Sequence, residues 1–221
     1  MIDLRRDGDV FILRLDGGEN RFDAPALSAW NEALDQVEKV EGPKALVTTG
    51  TGKFYSNGLD LDYMASEGVD PGGYVKSVLA VIGRVLAFPA YTVAGINGHA
   101  FGAGALIALA HDSRVMRADR GYFCMPESDM RLPLHPGMTA LLKARLPVQT
   151  AHDVIVTGTR YAAADAHAQR IVDHVAAETD VVPRAVELAR ALVAKAHPVL
   201  GRLKRDLHQP VLDALVADFS I

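Results

Sequence analysis

One cysteine, Cys124, stands in a chain of 221 residues. A lone thiol excludes an internal disulfide and any cysteine-rich metal site, and it fits a reducing compartment. A dominant charge is missing too. The chain has 23 Lys and Arg against 27 Asp and Glu, a net charge of −4, which gives no global pull toward nucleic acid or an anionic membrane. The longest apolar region, around Ala100 to Ala110, is too short to span a bilayer. Met1 to Asp7 is charged and lacks the apolar stretch of a signal peptide. Asp218-Phe219-Ser220-Ile221 matches no peroxisomal or lipidation address. These absences lead to the expectation of a soluble, cytoplasmic protein with neither nucleic acid nor membrane as a partner. Familiar signatures are absent as well: no Gly-x-Gly-x-x-Gly after a strand, no Gly-Lys-Ser/Thr phosphate loop, no His-Glu-x-x-His and no Gly-x-Ser-x-Gly elbow. The eight histidines are scattered, so no metal is expected. Cys124 has no histidine near it in sequence and reads as a small buried hydrophobe.

What is present is an ordinary globular balance, 49% hydrophobic and 23% charged, on a chain long enough to bury a proper core. Strand-like and helix-like segments alternate. Val10 to Leu15 is a β-rich run ending in a turn at Asp16-Gly17-Gly18. Asp23 reads as an N-cap with Pro25 in the first turn, followed by Leu27, Trp30, Leu34 and Val37 on one helical face. Ala45 to Thr49, Tyr91 to Ala94 and Ser113 to Met116 read as buried strands, and Val75 to Leu86 and Gly102 to Ala110 as helices. Beyond Pro136 the pattern turns helical apart from Ile171 to Val175. Thr150 with Asp153 resembles a capping box, and a last helix is expected around Val211 to Phe219. The expectation is one α/β domain over residues 1–221, with a core of about 1–175 and a helical part of about 176–221.

Two turns and one glutamate carry the chemical signal. Phe54 to Leu61 follows the strand at Ala45 to Thr49, and Asn97 to Ala105 follows the strand at Tyr91 to Ala94 and opens a helix. Small residues there let another group approach the backbone. A helix N-terminus at Gly102 to Gly104 would leave amide N–H groups unpaired and able to bind an oxyanion. Spacing alone favours the reading as plain turns.

Together with Pro126-Glu127, these segments resemble the enoyl-CoA hydratase/isomerase (crotonase) superfamily. Its first loop reads Phe-Ser-Ala-Gly-Ala-Asp-Leu, which Tyr55 to Leu61 matches in shape. Its second reads Asn-Gly-x-Ala-x-Gly-Gly-Gly, matched by Asn97 to Gly104, with His111-Asp112 in the closing position. The resemblance implies a crotonase-like fold of stacked ββα units with a C-terminal helical region, assembled as a homotrimer or dimer of trimers. It implies an acyl-CoA thioester as substrate, with coenzyme A belonging to that substrate and no separate cofactor. It also implies an oxyanion hole from the backbone N–H groups of Leu59 and Ala103. CoA and substrate contacts fall on Arg21, Ser56, Asn57, Gly58, Gly102 and Leu106, with Lys53 as a further cation for a CoA phosphate. Leu61, Met64 and Met130 are candidates for the acyl pocket. Asp60, Asp112 and Asp129 read as structural acceptors or caps.

Hydratases of this kind use two glutamates. The first position is Leu106 here, and the second is Glu127. Leucine cannot orient water. A single carboxylate can still move a proton from C2 to C4 of a 3-enoyl thioester. The resemblance therefore points to a Δ3,Δ2-enoyl-CoA isomerase of fatty-acid β-oxidation with Glu127 as base. The alternatives are a hydratase, or another lyase or hydrolase of the same type, and a non-catalytic acyl-CoA-binding oligomer.

Overall fold

The computed structural model describes residues 2–218. The chain opens with β1 (Ile2–Asp7), β2 (Val10–Leu15) and a two-residue β3 (Arg21–Phe22), then α1 (Ala24–Lys39). β4 (Ala45–Gly50), β5 (Phe54–Ser56) and β6 (Gly58–Leu59) lead into a short α2 (Leu61–Met64) and a long α3 (Pro71–Leu86). β7 (Tyr91–Ile96), β8 (His99–Phe101) and α4 (Ala103–Ala110) form the next unit. β9 (Ser113–Arg117), β10 (Phe123–Cys124), α5 (Glu127–Met130), α6 (Pro136–Arg145), α7 (Val148–Thr157), α8 (Ala163–Ala168) and β11 (His174–Ala176) follow. α9 (Val181–Arg190) and α10 (Pro198–Leu215) complete it.

The main sheet runs β1-β2-β4-β7-β9-β11. Only β1 and β2 are antiparallel; the other neighbours are parallel. Parallel strands must be covered on both faces, and the two-residue side-chain period supplies both coverings. Val10, Ala45, Val47, Val93 and Val115 face Val181, Ala185, Val186 and Ala189 of α9. The alternate residues Phe11, Leu13, Leu46, Ala94 and Met116 enter the larger core, packed by α1, α3, α4 and α6. Beside this sheet lie two small ones, β10-β8-β5 and β3-β6, and these build the site.

Several boundaries move for physical reasons. α3 begins at Pro71, four residues before the expected start, because the Asp70 carboxylate accepts from the N–H groups of Gly72 and Gly73. β1 had no signal beyond its charges; Arg5, Arg6 and Asp7 are exposed, as suits an edge strand. The strand expected at Ile171 to Val175 is His174–Ala176, since the N–H groups of Ile171 and Val172 both bond Ala166 O in a turn. Thr150 caps nothing: it lies inside α7 and donates to Gln169 O (3.2 Å). Asp129 also lies inside a helix, α5, with no side-chain cap. The final helix starts at Pro198 and ends at Leu215; Phe219, where its end was expected, lies outside the described residues. Asp60 and Asp112 are the structural acceptors expected. Asp60 accepts from Tyr63 N–H at the start of α2, and Asp112 from Thr92 N–H and from the buried Lys204 ammonium of α10.

A buried chain of hydrogen bonds anchors the strand that carries the first turn. The His111 Nδ1–H donates to Ile107 O (2.7 Å), so Nε2 accepts from the Thr48 hydroxyl (2.9 Å), which in turn accepts from Tyr55 O–H (2.7 Å). Burial holds the imidazole neutral, its pKa lowered to about 4. Thr48→Val keeps the shape but leaves the Tyr55 hydroxyl and the His111 Nε2 without partners. It is expected to cost about 1–3 kcal/mol, read as a lower urea midpoint with an unchanged m-value.

Candidate active site

The first turn is built by close backbone contacts. Asn20 donates to Phe54 O (3.0 Å) and Tyr55 O (3.2 Å). The Ser56 hydroxyl donates to Asn20 O (2.7 Å) and accepts from Gly58 N–H (3.2 Å). These bonds turn the chain so that Gly58 adopts φ +84°, a left-handed angle that favours glycine. A Cβ there would lie 2.6 Å from Phe101 O and 2.9 Å from Ala103 N. The two turns therefore press backbone to backbone.

The second turn is fixed from the other side. Gly102 donates its N–H to Cys124 O (3.0 Å) and takes φ 52°, ψ −120°, again a conformation for glycine alone. It caps α4, whose eight residues are all buried. Helix geometry leaves the N–H of Ala103, the first residue of that helix, without a carbonyl partner inside it. Ala103 has an ordinary negative φ, so its methyl is tolerated where relatives in the resemblance carry glycine. Gly104 is constrained by packing instead: a Cβ would fall 2.2 Å from Ser56 O.

Glu127 begins α5 directly after Pro126. Its Oε1 lies 3.5 Å from where a Cβ on Gly102 would be, so the carboxyl rests against the turn that presents the Ala103 amide. Its Oε2 is buried with no hydrogen-bond partner. Burial raises its pKa above the ordinary carboxylate value. A carboxyl that is desolvated, has one oxygen without a partner and rests beside the turn that presents the Ala103 amide is equipped to take and return a proton.

These groups share one cavity of about 910 Å³. Leu59, Ala103, Glu127, Gly102, Arg21 and Asn57 all line it, together with the acyl-pocket candidates Leu61, Met64 and Met130. Three expected contact residues do not. Ser56 is fully buried, its hydroxyl consumed within the turn. Gly58 spends its open space on the second turn. Leu106 is fully buried among the residues of the larger core and forms no part of the cavity wall. Arg21 is held by Glu19 (2.7 Å), Asp62 (3.1 Å) and Asp60 (3.5 Å), and the Asn57 amide donates to Glu19 (2.9 Å). Lys53 lies over the Phe54 ring, away from the cavity wall. Cys124 donates to Gly158 O, and burial pushes its thiol up to about 11, which leaves it inert as a nucleophile. Among the described residues no three His, Cys, Asp or Glu side chains gather to hold a metal ion, and no helix is long and apolar enough to cross a membrane.

Sequence reasoning missed Phe101, Val75, Met138 and Arg160, which also line the cavity. Phe101 had a findable signal, since it directly precedes Gly102 on a strand that alternates facing. The other three arrive through packing of distant helices and a loop.

The chain is also similar to known proteins. The family described as Enoyl-CoA hydratase/isomerase matches residues 8–221. The chain is 34% identical over 206 residues to peroxisomal enoyl-CoA delta isomerase 2 of Arabidopsis thaliana, spanning 88% of this chain and 86% of that protein. It is 31% identical over 203 residues to carnitinyl-CoA dehydratase of Salmonella agona, spanning 91% and 77%. Its fold superposes with a TM-score of 0.89 on an enoyl-CoA hydratase/isomerase family protein from Pseudomonas syringae, at 24% identity, covering 97% and 93% of the two chains.

Proposed function

The chain belongs to the enoyl-CoA hydratase/isomerase family, and from that premise we propose that it is a Δ3,Δ2-enoyl-CoA isomerase that uses one carboxylate as its base. The observation that carries this reading is Glu127: an unpartnered carboxyl oxygen, buried beside the turn that offers the Ala103 amide. The thioester oxygen accepts hydrogen bonds from the N–H groups of Leu59 and Ala103. Glu127 takes a proton from C2, negative charge develops on the thioester oxygen, and the two amides stabilise the dienolate. The double bond moves into conjugation as the same carboxyl returns the proton to C4. No redox partner or water is consumed. The leucine at position 106, where hydratases of this kind carry the first of their two glutamates, supports this reading over hydration, because its side chain cannot orient a water.

Conversion of 3-enoyl-CoA to 2-enoyl-CoA, followed by absorbance of the conjugated thioester, tests the reading against hydration of 2-enoyl-CoA. Isomerisation faster than hydration supports it. Hydration without isomerisation overturns it in favour of a lyase.

The reading includes a homotrimer or a dimer of trimers. Val199, Leu203 and Leu207 of α10 recur every four residues and are 54%, 60% and 73% exposed, an apolar stripe that a neighbouring copy would cover. Light scattering at three or six times the chain mass is the expected result, and a monomer would contradict it.

A further inference from the structure

The cavity is not electrically uniform. Two of its cations are neutralised. Arg21 is shared among three carboxylates, and Lys76 pairs with Asp218. The third, Arg160, has no carboxylate partner among the described residues; its guanidinium lies 5.8 Å from the centroid of the Phe101 ring.

Topology places Arg160 on the opposite flank from Arg21. Arg21 sits on β3, which pairs with β6 and its Leu59. Beyond that come the Gly102–Ala103 turn, then β8 and β10, where Phe101 is in register with Cys124. Tyr161, the residue after Arg160, exchanges both backbone hydrogen bonds with Phe123 (2.9 Å each) at the outer side of β10. The amides of the proposed oxyanion hole therefore lie between the two arginines. The cavity wall is largely apolar, with Met130, Leu132 and Met138 among its residues, and it also carries the carboxyls of Glu127 and Asp129.

The Arg160 flank carries further positive charge. Beside it, His99 stacks with Phe54, Phe101 and Tyr122. Burial first, and after it the charges of Lys53, Arg120 and Arg160, lower its pKa. The His99 Nδ1 is buried and has no hydrogen-bond partner. A molecule complementary to these walls has a thioester in the middle, an apolar stretch beside it, and an anion at the end remote from CoA.

We propose that Arg160 is a specificity-determining residue that receives a carboxylate carried by the acyl group, so that thioesters of dicarboxylic acids are preferred over those of plain fatty acids. The proposal rests on the acyl-thioester reading of the site above. Guanidinium suits a carboxylate because its planar donors can bond both oxygens. Phe101 holds it in place through a cation–π contact, and a ligand filling the cavity covers it from solvent.

The test is calorimetric binding of saturated, unreactive acyl-CoA pairs of equal chain length. One member ends in a carboxylate and the other in a methyl group. Each pair is run over several lengths against wild type, Arg160→Gln and Arg160→Lys. Wild type is expected to favour the carboxylate by about tenfold at the best length, the scale of one charge-assisted hydrogen bond. The ratio falls to one or below in Arg160→Gln and is partly kept in Arg160→Lys. Equal affinities in wild type, or a preference that survives Arg160→Gln, overturn the proposal. So does a changed oligomeric mass of Arg160→Gln with unaltered selectivity, which would assign the cation to a contact between copies. Failure of the isomerase reading looks different: the preference is seen, but 3-enoyl-CoA is not turned over. If neither member of a pair binds, both readings fall together.

Discussion

Glu127→Gln is expected to lower kcat for isomerisation by about 10²–10⁴-fold, the range over which a positioned general base acts, with little change in KM. Glutamine fills the same space beside Gly102 but cannot accept the C2 proton. The fold should not suffer, because the Glu127 Oε2 it replaces makes no hydrogen bond. The pH dependence makes the prediction specific. Burial raises the Glu127 pKa above the ordinary carboxylate value of about 4.3, so the basic form appears only at higher pH than for a free carboxylate. Wild-type kcat/KM should therefore climb with pH along a limb lying above that value and then level off. The variant should lose the limb together with the rate. Stability moves the other way. A carboxyl with a raised folded-state pKa contributes stability below its unfolded pKa, and that contribution is lost as pH rises through the folded one. Wild type should lose stability relative to Glu127→Gln across that window. An activity limb at the ordinary carboxylate position, or a variant with near wild-type kcat, would remove Glu127 from the role of base.

How the site could be read in advance differs from residue to residue. Gly58 and Gly102 were legible because their constraint is local: each takes a positive φ, and a glycine at such a turn shows in the sequence. The α1 cap at Asp23 was legible for the same reason, its side chain accepting from Ala26 N–H three residues on. Glu127 was legible only through its place after Pro126 in a familiar motif. Its unpartnered burial is a property of the assembled turn. Ser56 and Leu106 show the converse. Both occupy motif positions that suggest contact with substrate, and both side chains are spent inside, one on Asn20 O and one in the core. Arg160 could not be foreseen, because its position depends on Tyr161 pairing with Phe123, 38 residues earlier. Sequence windows see caps and turns. They do not see which side of a cavity a loop reaches after the sheet has formed.

Ala103→Pro separates the amide from everything else at its position. Ala103 is the first residue of α4, the one helical position where proline is well accommodated, because its fixed φ suits the helix and its missing N–H has no intrahelical partner to lose. The substitution keeps a small apolar side chain and deletes only the proposed donor. Loss of one oxyanion donor costs about 2.7–4 kcal/mol of transition-state stabilisation, so kcat should fall by about 10²–10³-fold. A two-donor hole also predicts the form of the loss. Charge on the thioester oxygen grows as Glu127 removes the proton, so the effect should fall mainly on kcat rather than on affinity for a saturated acyl-CoA. The Gly58 backbone lies close, with a Cβ built there only 2.9 Å from Ala103 N, so thermal melting must accompany the kinetics. A folded variant with a wild-type melting profile and full kcat would show that the Ala103 N–H is not a donor. Ala103→Gly supplies the control: it retains the N–H and should retain kcat, whereas a merely structural role for the alanine methyl would make Ala103→Gly the variant that fails.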